Sequence, residues 1–71
     1  MTTPYERTRA ILRTRELLED LQSPQHWPDL PDELRRRARV LARHYPEFGD
    51  LRHLHMQLPM FYGAPDSDDA W

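Results

Sequence analysis

At 71 residues the chain is long enough for one domain and too short to bury a large share of its surface. It has no cysteine, so neither disulfides nor a cysteine zinc site can support the core, and no apolar run approaches the roughly 18 residues of a membrane span. The formal charge is −2, yet all ten basic residues are arginine, nine of them before residue 44, whereas Asp66, Asp68 and Asp69 crowd the last six positions. An arginine-only basic set reflects GC-rich coding more readily than phosphate binding. The N-terminus lacks a basic start followed by an apolar block, so no signal peptide is expected and a cytoplasmic protein is the default. Oligomerisation is the common remaining support for so small a core.

Thr3-Pro4-Tyr5-Glu6 predicts a helix start. Thr3 caps, Pro4 suits the first helical position, and Glu6 reaches back to the Thr3 N–H as a capping box. From there Ile11, Thr14, Leu18 and Leu21, flanked by Ala10 and Leu17, mark a core face running to about residue 22. Tyr5, Thr8 and Leu12 form a smaller second patch on another side, expected to be a dimer or partner contact. On that expectation Leu12→Glu breaks self-association and leaves the helix intact. Pairs such as Glu6–Arg9, Arg13–Glu16 and Arg15–Glu19 describe a solvated face and contribute a few tenths of a kcal/mol each.

Gln22 to Leu30 is a connector broken by two prolines, and Trp27 is expected to fold back from it as a lid on the core. Pro31 then opens a second helix, with Asp32 and Glu33 in the first turn, where the helix dipole favours negative charge. Leu34, Ala38, Leu41 and Tyr45 form its apolar stripe, with Arg35, Arg36, Arg39 and Arg43 opposite and Pro46 as the stop. After a turn at residues 47–50, Phe48, Leu51, Leu54 and Leu58 repeat at helical spacing up to Pro59. The expected fold is all-α, a small three-helix bundle with helices near 4–22, 31–45 and 48–58, forming a helical domain over 1–58. Residues 59–71 are expected as an irregular tail, apolar and then acidic. Met60, Phe61 and Tyr62 are costly to leave in water together, so they should dock on a helix of this chain or a neighbour. The acidic end is a candidate cover for the arginine row.

Thr2-Thr3-Pro4-Tyr5-Glu6-Arg7-Thr8-Arg9-Ala10, with Arg43-His44-Tyr45-Pro46 closing the second helix, resembles a family of small, uncharacterised proteobacterial proteins. The resemblance covers roughly residues 2–21 and 31–54. Ala42 stands where that pattern has a leucine, and the segment after residue 58 has no counterpart. The resemblance implies a bacterial, cytoplasmic setting and carries no catalytic residues over.

An enzyme is not expected. There is no cysteine nucleophile, two glycines cannot build a phosphate-cradling loop, and neither serine sits in a nucleophile elbow, so no cofactor is expected. His53 and His55, at i and i+2, point about 200° apart on a helix and could share a metal, with His44, Glu47 and Asp50 nearby, only if that segment were extended. A surface or half-buried pair is the commoner arrangement, and no metal is expected. Two binding readings remain. In the first, the chain is a small interaction or regulatory module that docks on a protein partner through Tyr5, Leu12, Met60, Phe61 and Tyr62, and self-associates as a homodimer. In the alternative it is a nucleic-acid-binding regulator, with a helix-turn-helix-like pair in helices two and three and Arg35, Arg36, Arg39 and Arg43 as phosphate contacts. Net acidity opposes the alternative, as does a third helix whose only arginine is Arg52.

Overall fold

A computed structural model describes residues 2–65, which form three helices: α1 (Pro4–Asp20), α2 (Asp32–His44) and α3 (Phe48–Gln57). The all-α class is the expected one, and each helix agrees with its predicted span within the usual fraying of helix ends. Among the described residues no helix is long and apolar enough to cross a membrane. The acidic stretch from Asp66, the candidate cover for the arginine row, lies outside the described residues.

Packing separates two compact units. One contains residues 2–13 with 46–65, and the other residues 14–45. In the first unit, α1 opens with the predicted box: the Glu6 carboxylate accepts from the Thr3 N–H at 2.9 Å, and the Thr3 hydroxyl accepts from the Glu6 N–H at 3.1 Å. The Thr3 N–H, then the Thr3 hydroxyl, hold the Glu6 carboxyl below its ordinary pKa. The turn expected at residues 47–50 proves to be the start of α3, where the Asp50 carboxylate reaches back to the Glu47 N–H at 2.9 Å. Leu51, one turn into α3, is 0% exposed and is the apolar centre of this unit. Leu54 is half-buried, while Phe48 and Leu58 at the ends of the predicted stripe are exposed.

On α1, the one fully buried side chain is Thr8, at 1% exposure. The predicted core face is shallower: Ile11, Leu18 and Leu21 are half-buried, and Thr14 and Leu17 are exposed. Periodicity located both faces of α1 but ranked them in the wrong order. An apolar stripe reports which residues prefer burial, not which face meets returning backbone.

In the second unit, α2 buries Ala38 and Ala42 and half-buries Arg35 and Tyr45, while Leu34 and Leu41 are exposed. The buried face is therefore turned by about 50° from the predicted stripe, towards Arg35, at 100° per residue. Alanine explains the turn, because two small side chains admit a closer neighbour than leucines would. Arg15 fixes the same end of α2. Its guanidinium donates to the Ala42 carbonyl at 3.3 Å and the Tyr45 carbonyl at 3.1 Å, while Nε lies 3.1 Å from Glu19. A cation on the last carbonyls of a helix satisfies orphan acceptors and meets the negative end of the dipole. The predicted Arg15–Glu19 pair is present, but within a helix cap.

The connector is stitched to the helix ends and does not close over a core. Trp27 is exposed, and its indole N–H donates to Asp20 Oδ2 at 2.7 Å. His26 Nδ1 meets the other Asp20 oxygen. These bonds, His26 first and then Trp27, hold the Asp20 carboxyl below its ordinary pKa. The expected lid fails for a physical reason. An indole N–H needs an acceptor, and the carboxylate at the end of α1 supplies one at the surface.

Candidate functional site

The segment after α3 is held by its backbone. Pro59 lacks an N–H and disfavours helical geometry at the preceding residue, and the chain accordingly leaves the helix at Leu58. The Leu58 N–H still reaches the Leu54 carbonyl at 2.7 Å, and the Leu58 carbonyl accepts from the N–H groups of Phe61 and Tyr62, both at 3.0 Å. The Gly63 N–H then donates to the Pro4 carbonyl at 2.9 Å. The three carbonyls that follow are also bonded. Phe61 O accepts from the Arg7 guanidinium at 2.6 Å, Tyr62 O from His55 Nδ1–H at 2.9 Å, and Gly63 O from the Thr8 hydroxyl at 2.9 Å. Every amide N–H and carbonyl of residues 61–63 thus has a partner, the condition for packing backbone against protein.

The consequence lies in the side chains. With the backbone of 61–63 turned inward, Met60 is 83% exposed and Phe61 56%, next to Met56 at 72% and an exposed Leu58. Four large apolar side chains within six residues, Met56, Leu58, Met60 and Phe61, are thus exposed along and just before this hydrogen-bonded segment. The sequence predicted that Met60, Phe61 and Tyr62 would dock on a helix. The segment does dock on its own unit, but Met60 and Phe61 stay in solvent and only Tyr62 is half-buried.

The same contacts relocate the other predicted partner residues. Gly63 lies against Tyr5 so closely that an added Cβ would stand 2.8 Å from the Tyr5 Cα. Tyr5 keeps 44% of its surface exposed beside that contact, and Leu12 is half-buried. The second patch on α1 is therefore where the chain's own Gly63 returns. Thr8 and Gly63 were not singled out as a pair by the sequence. One signal was available: a glycine inside an apolar, non-helical run often marks close backbone approach. Thr8→Val keeps the side-chain shape and removes the donor, leaving a buried Gly63 carbonyl unpaired. We expect it to cost about 1–3 kcal/mol in denaturant unfolding.

The arginine row divides. Arg35 is half-buried, donating to the Trp27 carbonyl at 2.6 Å with Asp32 3.6 Å away. Arg36 forms a two-pronged pair with Glu33 at 2.8 and 2.9 Å. Arg39 and Arg43 are exposed. On α3, Arg52 sits over the Phe48 ring, 5.3 Å from its centroid. His53 is exposed while His55 is committed to Tyr62, and no group of three metal-ligating side chains occurs among the described residues. No protein-family model, curated protein or solved structure matches the chain.

Proposed function

We propose that this protein is a non-catalytic interaction module of the bacterial cytoplasm that regulates by docking on a protein partner through the corner at residues 56–61. The observation that carries this reading is the exposure of Met56, Leu58, Met60 and Phe61 on a segment whose backbone is bonded from Phe61 to Gly63. A fixed backbone presenting unburied methionine and phenylalanine loses little entropy when a partner covers it. Methionine adds an adaptable, polarisable surface that fits irregular apolar partners. Arg7 and Tyr5 support the corner from α1, so of the predicted partner residues Met60 and Phe61 make contact and Tyr5 frames it.

The nucleic-acid alternative is weakened by what its arginines already do. Arg35 is tied to the connector and Arg36 to Glu33, which leaves Arg39 and Arg43 as the exposed members of the proposed phosphate row. The test is capture from a nuclease-treated bacterial lysate by tagged protein. The double variant Met60→Glu/Phe61→Glu is expected to lose the captured protein with an unchanged far-UV spectrum, because both side chains already face water. Equal capture by the variant would remove the corner from the mechanism. Capture of nucleic acid alone would return Arg39 and Arg43 to the centre of it.

A further inference from the structure

Among the described residues Met60 and Met56 are the two most exposed large apolar side chains, at 83% and 72%. Met56 stands in the last turn of α3, five residues after the buried Leu51 and so about 140° round the helix from it. Met60 follows the helix, in the turn where the Leu58 carbonyl accepts from the Phe61 and Tyr62 N–H groups. Neither methionine side chain takes part in holding that turn. The partners of the 61–63 backbone are Leu58, Pro4, Arg7, Thr8 and His55. The sequence has no cysteine and one other methionine, Met1, so these two thioethers are the oxidisable sulfurs beyond the first residue.

We propose that Met56 and Met60 form a reversible oxidation site, at which a hydroperoxide turns the apolar surface at residues 56–61 polar while the fold stays intact. The effect on docking rests on the function proposed above; the chemistry and the change of polarity do not. In the step, a thioether lone pair attacks one peroxide oxygen, and an S–O bond forms as the O–O bond breaks. The sulfur loses two electrons and the hydroperoxide gains them. The proton on the transferred oxygen passes to the leaving one, giving water from hydrogen peroxide or an alcohol from an organic hydroperoxide. A dithiol reductant reverses the change, removing the oxygen as water and becoming a disulfide. Solvent access to both side chains admits the oxidant. A sulfoxide carries a strong S–O dipole and a good acceptor where the thioether had a weak one. Burying it against an apolar partner without a donor is costly, so docking weakens. Oxidation inside a core would disrupt packing, whereas these side chains already face water. Leu58 and Phe61 have no atom that a hydroperoxide attacks, so the methionines alone carry the switch.

The test treats the full chain with hydrogen peroxide and follows each methionine by peptide mass. Retention on a phenyl matrix is the probe of apolar surface, and a far-UV thermal scan reports the fold. Met56 and Met60 should each gain one oxygen as fast in the folded chain as in a urea-unfolded control, within about twofold. Retention should fall, the melting midpoint should move by less than about 4 °C, and methionine sulfoxide reductase with a dithiol should restore retention. Met56→Leu/Met60→Leu should elute at the same place before and after peroxide. Slow oxidation in the folded chain, a larger fall in midpoint or unchanged retention would overturn the proposal. So would a peroxide shift of the same size in the leucine variant. Capture from a desalted lysate adds the docking arm: a protein that wild type holds and Met60→Glu/Phe61→Glu loses should bind the oxidised chain about tenfold or more weakly. Equal capture by the oxidised chain would overturn the switch and leave the docking corner standing. Equal capture by Met60→Glu/Phe61→Glu would remove the corner instead, and the retention shift would still decide the oxidation site.

Discussion

Leu51→Ala is expected to cost about 2–5 kcal/mol, the largest loss from any single apolar truncation among the described residues. Leu51 is 0% exposed, and the other buried apolar side chains among the described residues, Ala38 and Ala42, have almost nothing to remove. A domain of 71 residues has a total stability of about 4–11 kcal/mol at the usual value per residue. The substitution therefore consumes a large fraction of it. At about 4–8 °C per kcal/mol for this size, the midpoint should fall by at least 8 °C or so in a far-UV thermal scan. Leu51→Met keeps the volume and should cost less than about 1.5 kcal/mol. If alanine and methionine behave alike, the core of the first unit does not centre on α3.

Gly63→Ala should rival that loss through crowding. The added methyl would stand 2.5 Å from Tyr5 Cδ1 and 2.8 Å from Tyr5 Cα. The ring can swing, since Tyr5 is partly exposed, but the Cα cannot move without α1. The segment must lift, weakening the bonds from the Gly63 N–H to Pro4 and from Thr8 to the Gly63 carbonyl. Overpacking at about 1–3 kcal/mol plus part of two hydrogen bonds gives about 2–4 kcal/mol. No described glycine has a positive φ, so the penalty is steric and owes nothing to backbone preference. Gly49 is the control: a Cβ there meets nothing within 4 Å, and helical alanine is favoured over glycine by about 0.5–1 kcal/mol. Gly49→Ala should therefore raise the melting midpoint while Gly63→Ala lowers it. Hydrogen exchange should also speed up at the Phe61–Gly63 amides in Gly63→Ala alone. Equal effects of the two substitutions would mean that the Gly63 contact does not hold the corner.

Local chemistry by itself determined the elements of this protein. Thr3, Pro4 and Glu6 set the start of α1, Pro31 with Asp32 and Glu33 the start of α2, and Pro46 and Pro59 the stops, because caps and proline act within a turn of where they sit. Period-3.6 spacing then determined an all-α chain of three helices. Burial was decided only by tertiary structure. Leu34 and Leu41 are more apolar than Ala38 and Ala42, yet the alanines are buried, because close approach favours small side chains where two elements meet. Met60 and Phe61 read as residues needing cover, yet the backbone of 61–63 took the inward side, because Leu58, Pro4, Arg7, Thr8 and His55 together satisfy its polar groups. All of these but Leu58 lie on a helix away from the segment, and no local pattern encodes their convergence. The candidate site was half legible for that reason: its apolar residues could be named from the sequence, and their outward direction followed from hydrogen bonds that only the folded chain brings together.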